Sequence, residues 1–416
     1  MENICIKRRS EFAKDMPNSS MLVLFAGSAP SKQGDQFYNF VPNPNFYYLS
    51  HIDSQNIILI IKKDAKGNLA QRLYLERYDE TVAKWDGAVI STDKAKEISG
   101  IDSFGNIDEF EKEIVQIFIS NQISKVYLDM ENRSLVKNTT NAIKFSKKVK
   151  DMFPYIELKN AYPLIAKLRM IKSDCEIEKL QKASDITIKA FYSILDNIRP
   201  GMMEYEAEAY IDYTYKANNS KGGFRTIMAS GKNATILHYD KNDSKIEDNS
   251  LILTDFGAGY KWYSSDITRT YPANGKFTQR QAQIYNIVLE ANKMAINMIK
   301  PGVLFSNLNK AVKEYFFSEL SKIGMVKEID DVNNYYYHGV SHFLGIETHD
   351  LSFERGIDYT LEEGMVLTIE PGLYIENEGI GIRIEDDILV TKDGYKNLTE
   401  KAIKEISEIE EYMEKR

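Results

Sequence analysis

SDCEIEKLQKASDITIKAFYSILDNIRPG, residues 173–201, spells one long amphipathic helix with its start and stop signals attached. Ser173 and Glu176 have the spacing of a capping box. Ile177, Leu180, Ser184, Ile188, Phe191, Leu195 and Ile198 then recur at helical spacing until Pro200 and Gly201 end the run. The same unit returns as TQRQAQIYNIVLEANKMAINMIKPG, residues 278–302. Thr278 and Gln281 supply its capping box, Ile284, Ile287, Val288, Ala291, Met294, Ala295 and Met298 its stripe, and Pro301 with Gly302 its stop, 101 residues after the first proline. Each PG is followed by a second helical pattern (EYEAEAYIDYTYKA, 204–217; SNLNKAVKEYFFSELSKIG, 306–324), a histidine-containing stretch, and a strand running into an acidic segment. Every element of such a unit needs its own periodicity and caps, so the recurrence predicts a duplicated fold. Duplicated units pack face to face about a pseudo-twofold axis, and ligands sit at such junctions, which predicts one site built from both copies.

The residues before this region read differently. MLVLFAG (21–27), NIILIIKK (56–63), RLYLER (72–77) and KVYLDM (125–130) are short β-branched runs with the look of strands, and DEFEKEIVQIFIS (108–120) is an amphipathic helix between two of them. The chain therefore divides into a smaller α/β domain over residues 1–162 and a larger duplicated domain over residues 163–416, an α/β (α+β) architecture overall.

Composition narrows the function. A 416-residue chain with 43% hydrophobic and 11% aromatic residues has ample material for globular cores, and two domains are the expected division. A formal charge of −8 disfavours nucleic acid as the main partner. The first residues carry scattered charge without the apolar stretch of a secretory signal, and no apolar run approaches the roughly 20 residues of a membrane helix. Cys5 and Cys175 are too far apart in sequence to suggest a zinc ribbon or a disulfide framework. No membrane association and a cytoplasmic address are the expectations.

The chemistry lies in carboxylates. LILTDFGAG (251–259) is an apolar strand with Asp255 near its end, and TIEPG (368–372) places Glu370 likewise; each is followed by a glycine that permits close approach. Asp266 follows Asp255 by 11 residues and Glu385 follows Glu370 by 15. Odd separations let two residues stand opposite one another on antiparallel strands and point to one face. Four converging carboxylates repel unless some are protonated or cations neutralise them. Two divalent ions balance four carboxylates and leave room for one neutral imidazole. Such an oxygen-rich set suits Mn²⁺ first, with Co²⁺ or Zn²⁺ as alternatives. The histidine comes from HGVSHFLGIETHD (338–350), which holds three of the chain's five, His338, His342 and His349; Gly339 and Gly345 argue against a helix there.

NATILHY (233–239), DFGAGYKWYSSDITRT (255–270), HGVSHFLGIETHD, TIEPGLY (368–374) and GIRIEDD (381–387), in that order, give residues 164 to about 400 a resemblance to the pita-bread metallopeptidases, the family of aminopeptidase P, prolidase and methionine aminopeptidase. The resemblance implies a pita-bread catalytic domain whose metal ligands are Asp255, Asp266, His342, Glu370 and Glu385, with Asp266 and Glu385 bridging two ions. It implies that His238, His338 and His349 bind substrate and assist catalysis, and that Arg383 stands next to the centre. Glu370 is expected to carry a proton, His349 to donate to an oxyanion, and Arg383 and Tyr374 to bind substrate or brace the ligands. Thr348 departs from the family's usual Ile or Val, but it is still β-branched.

In the front half, RRSEFAKDM, QFYNFVPNPNFYYLSHID (36–53) and AKWDG (83–87) resemble the N-terminal domain of aminopeptidase P and of long-chain prolidases. The resemblance thus implies an Xaa-Pro aminopeptidase acting on peptides with proline second, working as a dimer or tetramer, with prolidase as the alternative. Phe46, Tyr47 and Tyr48 read as core, whereas Trp85 is either an interface residue or a wall of a proline subsite. A non-catalytic peptide- or protein-binding module on the same fold is the competing reading from another class. Relatives of that kind lack the metal set, all five members of which stand here.

Overall fold

A computed structural model describes residues 4–131, 140–351 and 358–416. The chain forms two compact units that divide after Arg169. The expected boundary at 162 falls seven residues earlier, because the helix Tyr162–Met170 is tied to the first unit. The Tyr48 hydroxyl donates to the Leu168 carbonyl at 3.0 Å, and Arg169 donates to Asn45 Oδ1 at 2.6 Å.

The first unit is built on a six-stranded sheet. Its strands are β1 (Ser20–Phe25), β2 (Ile58–Lys63), β3 (Leu69–Leu75), β4 (Phe104–Asn106), β5 (Lys125–Leu128) and β6 (Glu157–Asn160), in the spatial order β4-β3-β2-β1-β5-β6. β1 pairs parallel with β5 and antiparallel with β2. Buried Met21, Val23, Phe110, Phe118 and Val126 share one core under the sheet, so the apolar runs and the amphipathic helix (Phe110–Ile119) are used as their patterns predict. Phe46, Tyr47 and Tyr48 are all buried, which makes the trio core. Trp85 lies on the helix Glu80–Asp86, none of whose residues is buried, and is 85% exposed.

The second unit carries the duplication. α1 (Asp174–Asn197) and α2 (Glu204–Ala217) open the first copy; α3 (Gln279–Asn297) and α4 (Phe305–Lys322) open the second. Gln281 accepts the Thr278 N–H at 2.9 Å and its own N–H donates to the Thr278 hydroxyl at 3.3 Å, a reciprocal cap. In the first copy Glu176 takes both the N–H and the hydroxyl of Ser173. The two PG stops match atom for atom. Gly201 (φ +92°) donates to the Ile246 carbonyl and Ile246 donates back to Met202; Gly302 (φ +89°) donates to Leu361 and Leu361 donates back to Val303. Only glycine takes these backbone angles without strain, which is why both stops carry it.

Each copy then lays down an antiparallel sheet. In the first, β7 (Ile227–Ser230), β8 (Leu251–Phe256) and β9 (Ile267–Pro272) run side by side. In the second, residues 340–344 run against β10 (Val366–Ile369), which pairs with β13 (Asp386–Thr391), while β11 (Gly372–Ile375) and β12 (Ile380–Arg383) form a hairpin between them. Within the HGVSHFLGIETHD segment residues 340–344 are extended and no part is helical, as its glycines suggested: Glu370 N–H donates to Val340, Thr368 to His342, and Leu344 to Val366, and residues 345–349 then turn back so that Asp350 N–H donates to Phe343. Where the copies meet, Glu385 N–H donates to the Thr268 carbonyl, and Thr270 and Arg383 exchange hydrogen bonds.

Candidate metal centre

The strand ends bring the carboxylates together. β10 pairs with β13 in the register Ile369↔Asp386, and β11 with β12 in the register Gly372↔Arg383; one count connects them, so Glu370 faces Glu385 as their odd spacing predicted. In the first copy the prediction needs correction. Asp255 stands opposite Thr268, and Asp266 lies two residues further along, just before β9. The parity held but the pair is diagonal, because a small hairpin of Ala258–Tyr260 with Tyr263–Ser264 absorbs the intervening residues.

His342 completes the group. Ligand atoms of Asp266, His342 and Glu385 all lie within 4.8 Å of one another. His342 Nε2 is 3.4 Å from Asp266 Oδ2 and 3.8 Å from Glu370 Oε1. Its Nδ1 lies 3.1 Å from the Phe343 carbonyl, an acceptor, so Nδ1 carries the proton of the neutral ring. Nε2 then presents a lone pair to two carboxylates, an arrangement that calls for a cation between them.

The electrostatics agree with that requirement. Burial, aggravated by the neighbouring Glu385, holds the carboxyls of Asp266 and Glu370 well above the usual carboxylate range. Burial together with Asp255 pushes Glu385 up to about 7. Asp255 Oδ1 and Asp266 Oδ1 are buried without a hydrogen-bond donor. Orphaned oxygens and mutually repelling carboxylates around one free imidazole nitrogen fit a hard or borderline divalent cation.

Arg383 braces the cluster. Its guanidinium donates to Asp255 Oδ2 at 2.6 Å, to the Tyr374 hydroxyl at 2.9 Å and to Thr268 Oγ1 at 3.0 Å, and Thr268 passes its own proton to Glu385 Oε2 at 2.6 Å. Tyr374 in turn reaches His338 Nε2 at 2.8 Å, while His338 Nδ1 lies 2.8 Å from the Gly339 carbonyl. Burial, with help from Arg383, lowers the His338 pKa to about 4. His338 is thus neutral at pH 7, protonated on Nδ1, and accepts from Tyr374. Tyr374 and Arg383 are both buried, with their polar groups engaged by protein. His238 and His349 are exposed, and the His349 ring stands edge-on to His342 with centroids 4.4 Å apart.

Supports that sequence reading missed lie directly behind the candidate ligands. Asp387 accepts the Asp266 N–H at 3.1 Å and the hydroxyls of Ser265 and Ser184 at 2.7 and 3.0 Å. Arg269 donates to the Glu385 carbonyl and to Asp386, which also receives Lys404 at 2.7 Å. The available signal was an arginine inside the otherwise uncharged strand ITRTYP and a third consecutive acid in EDD, neither of which has a reason to be buried alone.

The pattern of metallopeptidase family M24 matches residues 178–392, which include all five of these candidate ligands. The chain belongs to metallopeptidase family M24. Its catalytic unit has the pita-bread fold, and residues 5–127 match the aminopeptidase P N-terminal domain. This M24 chain is 32% identical to the Xaa-Pro aminopeptidase of Escherichia coli (strain K12), over 98% of its own length and 96% of the relative's. A Bacillus anthracis structure provisionally assigned as aminopeptidase P shares 45% identity over 100% of this chain and 99% of that one, with a TM-score of 0.96. E. coli aminopeptidase P with the inhibitor Pro-Leu shares 32% identity over 99% and 98%, with a TM-score of 0.91. Among the described residues no helix is long and apolar enough to cross a membrane.

Proposed function

We propose that this M24 peptidase is an Xaa-Pro aminopeptidase that releases the N-terminal residue from peptides with proline in second place. The observation that carries the reading is a free imidazole Nε2 facing buried, mutually repelling carboxylates, in a chain that also has the aminopeptidase P N-terminal domain. Asp255, Asp266, His342, Glu370 and Glu385 would hold two divalent ions, Mn²⁺ in first place and Co²⁺ or Zn²⁺ as substitutes. When bound, the ions supply Lewis acidity and make water acidic enough to attack a carbonyl at neutral pH.

The chain's own groups do the rest. Glu370 takes the proton of the attacking water and delivers it to the departing proline nitrogen. His349 donates to the oxyanion that develops on the scissile carbonyl. His238 orients the substrate, and the neutral ring of His338, its two nitrogens engaged by Gly339 and Tyr374, shapes the site around it. Arg383, already engaged by Asp255, Tyr374 and Thr268, keeps the carboxylates in place. A cytoplasmic site of action and a homo-oligomeric state, dimer or tetramer, belong to the same proposal, and light scattering tests the second.

The deciding experiment is a peptide-length series after chelation, with and without added Mn²⁺. Restored cleavage of a tripeptide with proline second is the expected result; cleavage confined to dipeptides ending in proline would make the enzyme a prolidase instead. A finer test is His349→Ala. It should keep its metals and lose about 10²- to 10³-fold in kcat, the cost of one missing oxyanion donor. An unchanged kcat would remove His349 from that role.

A further inference from the structure

We infer that Glu204 is a positioning residue for His238, setting the loop that carries it from a buried carboxylate. This rests on the proposed reading of His238 as a substrate-binding group. Glu204 is the first residue of α2 and is fully buried. One of its oxygens accepts the Ser230 N–H and hydroxyl, both at 2.7 Å, and the Asn233 amide at 3.1 Å; the other accepts the Tyr239 hydroxyl at 2.7 Å and the Ser244 N–H at 3.0 Å. Two of these partners precede His238 in the chain and two follow it. The exposed His238 therefore sits on a loop tied at both flanks to one anion.

The duplication shows that the fold itself does not require this carboxylate. Glu204 N–H donates to the Ser244 carbonyl, and at the matching place in the second copy Phe305 N–H donates to the Tyr359 carbonyl. Phe305 stacks on Phe343 with ring centroids 5.1 Å apart, so an apolar side chain serves the same architecture. What differs is the loop served. Tyr239, next to His238, inserts its ring into the apolar cluster that includes Ile227, Leu253 and Tyr374, and only its hydroxyl reaches Glu204. The carboxylate thus fixes how far Tyr239 descends, and with it the place of the preceding imidazole.

Glu204→Gln keeps the size but turns one acceptor into a donor facing other donors. In the metal-loaded full chain it should raise KM for a tripeptide with proline second by about tenfold or more, because small misplacements of a positioning group are costly, with kcat changed less and metal content unchanged. His238→Ala should raise KM in the wild-type background and add little in the Glu204→Gln background. Amide exchange over residues 231–244 should quicken while that of α2 does not. Additive effects of the two substitutions, an unchanged KM, or exchange that quickens equally throughout the unit would overturn the inference. Should Glu204→Gln not fold, Tyr239→Phe removes a single donor and must also raise KM, by less, and non-additively with His238→Ala. If the wild-type chain cleaves no Xaa-Pro peptide, the functional reading fails, and the exchange measurement alone then decides the role of Glu204.

Discussion

Asp266→Ala is expected to lose turnover and metal together, with kcat/KM falling by about 10³-fold or more, since the Lewis acidity lost is worth several kcal/mol of transition-state stabilisation. Elemental analysis after gel filtration and a peptide assay read the two losses separately. Asp266 lies against both His342 and Glu385, so its removal dismantles the group from the centre. Full turnover by a metal-free Asp266→Ala protein would end the mechanism.

Thermal melts sharpen the test, because a cation bound only by the folded chain stabilises it by mass action. Without metal, the wild-type cluster must keep protons where carboxylates ordinarily lose them. Glu385 titrates near 7 in the fold against an ordinary value of 4.5, so the folded chain binds more protons than the unfolded one across that interval. Its contribution to stability is complete below pH 4.5 and lost as pH rises through about 7. Metal-free wild type is therefore expected to melt at lower temperature at pH 8 than at pH 5.5, with saturating Mn²⁺ removing most of the difference. Asp266→Ala, with one like charge fewer, should show a weaker pH trend and no metal effect.

Arg269→Met is the second large expectation, and it concerns stability. Arg269 and Asp386 are fully buried and 2.7 Å apart, and Lys404 is the other cation on that carboxylate. Removing one partner of a buried pair leaves a poorly compensated charge and costs about 3–5 kcal/mol. Arg269 and Lys404 hold the Asp386 carboxyl far below the usual carboxylate range even against its burial. That contribution is present in full above the ordinary carboxylate pKa and is lost only in acid, so the substitution is felt at pH 7. Urea unfolding followed by a probe in the catalytic unit should show a markedly lower midpoint, and Arg269→Met with Asp386→Leu should recover part of it. A midpoint unchanged by the single substitution would show that Lys404 alone suffices.

Much of this could be read from the sequence. Both capping boxes, the glycines of both PG stops and the absence of helix from the histidine segment follow from residue types within a few positions, and local rules apply to them directly, although the stops and the histidine segment are then held by distant partners. Glu370 and Glu385 were paired correctly because one continuous register joins two short hairpins. Asp255 and Asp266 were paired only to within one diagonal step, because the small hairpin between them, with Lys261 and Trp262 at positive φ, is not visible in a parity argument. The brace formed by Arg383 and the buried pair of Arg269 with Asp386 join positions 128 and 117 residues apart. No periodicity links such positions; only the docking of one copy on the other does.

The two copies are not equal partners in the candidate metal centre. Asp255 faces Ile227 and Leu253 faces Ala229, while Glu370 donates to Val340 and Thr368 to His342. Ala229 thus occupies in the first sheet the place of His342 in the second. Two copies identical in sequence would present either two imidazoles or none. The candidate centre therefore takes its one imidazole from the second copy alone, an inequality that two strictly identical halves could not produce.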